Sequence, residues 1–203
     1  MRRRPPRFDL IAGNVCLDFV NTLDDRHIKP KELLETYMDL VRFGEDTGLL
    51  DSRQVDRLYE RGQADPEHAQ EVLGWGRELR EAIHDVFWAI MNKRPIPPAA
   101  LARLNADVQS AAGHQRLVPV KGGFEWRFDD LGELDSMLWP IARSAADLLA
   151  SDQVPYVRAC FSKACEWFFL DTSKNHHRRW CDMTRCGNRA KVRNFYARQK
   201  KSG

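Results

Sequence analysis

Four cysteines set as two equal pairs constrain this chain of 203 residues more than any other feature. Cys160-Phe-Ser-Lys-Ala-Cys165 is followed, after fifteen intervening residues, by Cys181-Asp-Met-Thr-Arg-Cys186. Tetrahedral zinc takes four soft donors at about 2.3 Å from sulfur, and two cysteine-bearing turns supply them. Between the pairs, Trp167-Phe168-Phe169-Leu170 reads as a short strand and Asp171 to His177 as a polar turn. A segment this small buries too little apolar surface to fold unaided, so metal binding must supply much of its folding free energy. Four cysteines complete the shell of one structural Zn²⁺. They leave no open position for catalysis and no need for His176 or His177 as ligands. The fifth cysteine, Cys16, sits between Val15 and Leu17 and reads as a small core residue.

The remaining chain carries a helical pattern. Residues 10–23 are rich in apolar side chains and are expected in the core. Pro30 is expected to open a helix over 31–48, with Leu33, Leu34, Tyr37, Leu40 and Val41 at helical spacing. Asp51 is a cap for a helix carrying Val55, Leu58 and Tyr59, and Asp65-Pro66 starts the longest helix, which Pro95 stops near Lys93. Another helix follows Pro97-Pro98 to Gly113. Residues 117–120 and 124–128 flank Lys121-Gly122-Gly123 as a β-hairpin, and a last body helix is expected over 130–150, kinked or restarted at Pro140. The fold class expected is mainly α: a helical body with one small hairpin (1–152), then a four-cysteine, treble-clef-like zinc finger ending in a helix (153–203). No apolar run is long enough for a membrane span, and Met-Arg-Arg-Arg-Pro-Pro, read as a disordered arm, lacks the apolar segment of a secretory signal. The expected address is the cytoplasm, with no membrane partner, and disulfides are disfavoured there.

Charge is unevenly spread. From Asp171 to the C-terminus ten Lys/Arg stand against Asp171 and Asp182, a net +8, which leaves −5 on residues 1–170 of the total +3. A basic end on a mildly acidic body suits an anionic partner, and no amphipathic anchor accompanies it, so nucleic acid is expected rather than membrane.

The stretch Trp180-Cys181-Asp182-Met183-Thr184-Arg185-Cys186-Gly187-Asn188-Arg189-Ala190-Lys191, preceded by Phe169-Leu170-Asp171-Thr172-Ser173, resembles the CGNR-type zinc-finger family of bacteria. Upstream, Gly13-Asn14-Val15-Cys16-Leu17-Asp18-Phe19-Val20-Asn21-Thr22 is similar to the opening of the ABATE domain that precedes this finger. The resemblance implies stress-induced transcription regulation, and it implies Cys160, Cys165, Cys181 and Cys186 as the zinc ligands, all four family positions being filled.

Asp182 can cap a helix running through Cys186 towards Gln199, on which Arg185, Arg189 and Arg193 recur every fourth residue as a positive stripe continued by Lys200 and Lys201, while Val192 and Phe195 pack it. We expect that stripe to lie on DNA, RNA remaining open, with Lys174, Arg178, Arg179 and Lys191 on phosphates. Asp171 reads as an internal brace. The rival reading is a zinc-scaffolded protein-interaction module without direct DNA binding. Asp18, Asn21 and Thr22 share one face if their segment is helical, and buried polar groups there need partners: either a brace to the first long helix or, with Arg26, His27 or Trp residues of the long helices, a pocket for a small effector. There is no nucleophile elbow, phosphate loop or metal-hydrolase motif, so catalysis is not expected. A homodimer would suit operator reading, although no motif demands one.

Overall fold

The computed structural model describes residues 8–129 and 132–199, the side chains of 193–198 excepted. The Arg/Pro leader, Asp130, Lys200 and Lys201 lie outside the described residues, and so do the side chains of Arg193 and Phe195. Seven α-helices and three two-stranded sheets make up the described chain, so the single hairpin expected from sequence is joined by two further ladders.

Helix α1 (Val15–Val20) is short and almost wholly sequestered, with Cys16, Leu17, Phe19 and Val20 in the core and Asn14 capping its start. Strands β1 (Leu23–Asp24) and β2 (Lys31–Glu32) then pair antiparallel, where the sequence pattern suggested that a helix had already begun. Helix α2 (Tyr37–Asp46) starts six residues later than Lys31, because Thr36 and Asp39 form a reciprocal capping box that fixes the first turn there. Leu34, at 0% exposure, reaches the core from outside the helix, and its carbonyl accepts from Arg77. Helices α3 (Ser52–Ala64) and α4 (Pro66–Met91) start as expected, under Asp51 and Asp65.

Helix α4 is the spine. Val72, Leu73, Leu79, Ile83, Val86 and Phe87 bury one side, and the helix packs on α1, α2, α3, α5 and α6. Helix α5 (Pro98–Gly113) leads into β3 (Gln115–Val120) and β4 (Gly123–Phe128), joined by a two-residue turn with Gly122 at φ 98°. Helix α6 runs Leu138–Leu149, beginning later than residue 130. Turns about Glu133 and Asp135 precede it, and Pro140 lies in its first turn, where a missing N–H breaks no helical bond and no kink is needed.

After a 3-10 turn (Val154–Tyr156), β5 (Val157–Ala159) pairs antiparallel with β6 (Phe168–Leu170). A π-helical turn (Met183–Gly187) then opens α7 (Asn188–Gln199). Phe168, Phe169 and Leu170 are buried in the same hydrophobic cluster as Leu17, Phe19 and Ile83, so body and finger share one core. Among the described residues no helix is long and apolar enough to cross a membrane.

Candidate metal centre and its basic face

The ladder β5–β6 places the first cysteine pair. Cys160 follows β5 and donates its N–H to the carbonyl of Trp167, so the chain between them is a closed knuckle. Inside it the amides of Cys165 and Glu166 both turn back to the Ser162 carbonyl, at 2.8 and 3.1 Å. Glu166 takes a positive φ of 53° to complete the turn. The second pair is set by a helix start. Asp182 accepts from the hydroxyl of Thr184 and from the backbone of Arg185 and Thr184, and these bonds, the hydroxyl's first, hold its carboxyl below the ordinary carboxylate range. Its own carbonyl accepts from both Cys186 and Gly187, giving the wide turn that puts Cys181 and Cys186 on one side. The Arg179 carbonyl joins the two halves by accepting from the Phe161 amide at 2.9 Å.

These constraints bring the sulfurs of Cys160, Cys165, Cys181 and Cys186 within 4.8 Å of one another, with Cys165 to Cys181 at 3.5 Å and Cys181 to Cys186 at 3.7 Å. Four donors at about 2.3 Å from one tetrahedral ion stand about 3.8 Å apart, so the cluster has the size zinc requires. Hydrogen bonds from Cys165 and Cys181 push the Cys160 thiol down, and the same bonds push those two thiols up. Backbone amides of Ser162 and Cys181 donate to the Cys160 sulfur, and that of Trp167 to Cys165, which eases thiolate charge around the ion. These four cysteines would hold one Zn²⁺, which would supply structural cross-linking rather than chemistry.

Much of the surrounding polarity is structural. Asp171 is buried and accepts from the Ser173 amide and hydroxyl and from the Arg178 amide. Burial raises its pKa, but those hydrogen bonds outweigh it and hold the carboxyl below its usual range. Arg178 lies 4.5 Å over the Phe169 ring and donates to the carbonyls of Trp180 and Cys181, so it braces the finger rather than standing free for phosphate. Arg185 pairs with Asp9 and faces Trp167. Arg179 is exposed but stacked on Phe161, 4.1 Å from its centroid. Lys174, Arg189 and Lys191 are exposed. Arg185 and Arg189 both line a small cleft of about 70 Å³ against Cys165, Cys181 and Trp167. Asn188 donates to the Thr184 carbonyl at 3.0 Å and so stitches the π turn to α7.

The polar group on α1 is a seam to the finger. Asn21 accepts from the Phe168 N–H and donates to its carbonyl, both at 2.9 Å. Asp18 accepts from the Ala12 amide at 2.9 Å, and the Ala12 carbonyl accepts from Leu170 at 2.7 Å. Thr22 donates to the Phe19 carbonyl and accepts from Arg80, which is held by Glu32. Arg26 pairs with Glu81. These four side chains therefore turn to separate partners and do not converge on an effector pocket. Burial raises Asp18 to about 6. Three further residues belong to the seam: Asp24, which sequence reasoning missed and which accepts from the Trp167 indole at 2.7 Å; His27, expected at an effector pocket but 3.0 Å from Glu166; and His84, stacked on Phe168 with centroids 5.1 Å apart. The signal for Asp24 and His27 was faint, the polar stretch Asp24-Asp25-Arg26-His27 just after an apolar run.

Residues 13–152 match the family model ABATE, described as "Putative stress-induced transcription regulator", and residues 156–199 match that of the CGNR zinc finger. No curated protein matches the chain.

Proposed function

The chain belongs to the ABATE family and carries its CGNR zinc finger, and from that premise we propose that it is a transcription regulator whose zinc-clamped finger binds duplex DNA. Both families are described in regulatory or zinc-finger terms and neither in catalytic ones. What supports the reading most is the exposed basic face at the metal-fixed start of α7. Arg185 and Arg189 border one cleft there, with Lys191 beside them and Lys174 and Arg179 on the adjoining turn. Arg193 stands one turn further along the same helix.

The zinc supplies placement, not chemistry. It ties the knuckle to the helix start, so the arginines leave the finger at a fixed angle. Arg178 and Asp171 support that placement from within. Lys174, Arg189 and Lys191 are exposed towards a phosphate backbone, whereas Arg185 must exchange Asp9 for a phosphate oxygen.

The test is a fluorescence-anisotropy titration of labelled duplex DNA with the zinc-loaded full chain at several salt concentrations. With four to six phosphate contacts, log affinity is expected to fall against log salt with a slope of about −4 to −5. Arg189→Ala with Lys191→Ala should flatten that slope by about 2. A slope near zero would exclude the electrostatic interface. Saturable, salt-insensitive capture of a protein would favour the interaction-module reading instead.

A further inference from the structure

The hairpin β3–β4 is amphipathic with its apolar side turned outward. The register pairs Leu117 with Trp126 and Pro119 with Phe124, and the alternation of a strand sets all four on one face. Leu117 is 53%, Phe124 68% and Trp126 62% exposed. Arg116, Glu125 and Arg127 occupy the other face together with the half-buried Val118 and Val120, and there Arg127 pairs with Glu125. The hairpin is anchored at its base: His114 stacks on Trp139 at 3.6 Å, Phe128 tilts against the same indole, and Arg143 donates to Gln115. A two-stranded ribbon is marginal in water without a covered face or further strands.

The two edges of this ribbon are unlike. The two-residue turn makes Val120↔Gly123 the closing hydrogen-bonded pair, so the pairs of Pro119 and Leu117 point their backbone groups outward. On β3 that outward row contains Pro119, which has no N–H and blunts the edge. On β4 the outward row is Phe124, Trp126 and Phe128, an open set of donors and acceptors with no proline.

We propose that β4 is a homodimer interface, in which a second copy of this chain adds its own β4 antiparallel about a two-fold axis at Trp126. In that register Trp126 faces its symmetry mate and Phe124 faces Phe128 of the other copy. Glu125 stands opposite Arg127, and Arg127 opposite Glu125. Those two pairs fall at the non-hydrogen-bonded positions, where side chains approach most closely. A single strand thus matches itself in backbone, apolar face and charge. The result is a four-stranded sheet with β3, proline-blunted, at each rim.

Sedimentation velocity of the zinc-loaded full chain, with a concentration series, reads the outcome. The wild type is expected to move from 23.5 kDa towards about twice that mass. Glu125→Arg and Arg127→Glu should each be monomeric, since each sets like charges opposite one another twice. An equimolar mixture of the two variants should dimerise, and so should the chain carrying both substitutions. Circular dichroism checks that each variant is folded. A wild type that stays monomeric throughout, single variants that remain dimeric, or a mixture that fails to associate would each overturn the proposal.

Discussion

In the body, α4 orders its neighbours chiefly with aliphatic and aromatic side chains, Val72, Leu73, Leu79, Ile83 and Phe87 all being at zero exposure, with the buried Arg80 as its polar tie to Thr22 and Glu32. In the finger, the same task falls to four sulfurs, an arginine laid on Phe169, and a carboxylate, Asp171, that gathers three donors. The difference shows where the finger's independence ends. Its distal half, the two cysteine turns and the start of α7, is held by metal and polar braces. Its proximal strand β6 is held by the body, through buried rings and through Asn21 and Ala12.

The largest effect expected comes from removing the metal. Cys181→Ser or Cys186→Ser should abolish stoichiometric zinc, measured by atomic absorption, and unfold the distal finger, since structural zinc sites contribute about 10 kcal/mol or more to their modules. Because β6 sits in the shared core, the thermal transition of the helices should drop as well. A body melting at the wild-type temperature would mean that the seam contributes little. Phe169→Ala strikes the seam without touching the metal. Its ring is fully buried, so a loss of about 3–5 kcal/mol in urea unfolding is expected with zinc retained at neutral pH.

Asp18→Asn separates charge from geometry. Asp18 titrates near 6 when folded, above its ordinary 3.8. The folded state therefore holds the proton more tightly than the unfolded chain does. Its stabilising contribution is complete below the unfolded value and fades as pH rises through about 6. Asn keeps an acceptor for the Ala12 amide without the buried charge. The variant should be more stable than wild type at pH 7, by up to about 3 kcal/mol, and the gap should close by pH 4. A constant gap across that range would show that the carboxylate is better solvated than its burial implies. Asn21→Ala, the mildest of these changes, leaves the Phe168 amide and carbonyl unpaired and should cost about 2 kcal/mol. Faster hydrogen exchange should be confined to β6 and its neighbours.

The cysteine pairs, the caps at Asp51, Asp65 and Asp182, and the hairpin about Lys121-Gly122 were legible because each is local: a spacing or a cap residue carries its own geometry. The start of α2 was misplaced because Leu33 and Leu34 continue a helical spacing while the Thr36–Asp39 box resets the backbone, and a cap outweighs two apolar positions. Asp18, Asn21 and Thr22 were correctly marked as needing partners, but a sequence does not say which. Thr22 found Arg80 on α4 rather than a partner on the first long helix, and Asn21 found a strand 147 positions away. Arg178 and Arg189 look alike as letters. The carbonyls of Trp180 and Cys181 and the Phe169 ring that hold Arg178, against the open setting of Arg189, divide structural from available charge.

Asn21 has a consequence for how the protein behaves in a crowd. The outward-facing amides of β6 belong to Phe168 and Leu170, and the first is matched by the side-chain amide of Asn21, the second by the Ala12 carbonyl. One carboxamide supplies a donor and an acceptor at the spacing a neighbouring strand would, so it acts as a molecular full stop at the sheet margin. An apolar run such as Trp167-Phe168-Phe169-Leu170 would otherwise be a template for sticking to other chains. Here its hydrogen-bonding vocabulary is spent inside the molecule, and the most aggregation-prone four residues of the finger are also among its quietest.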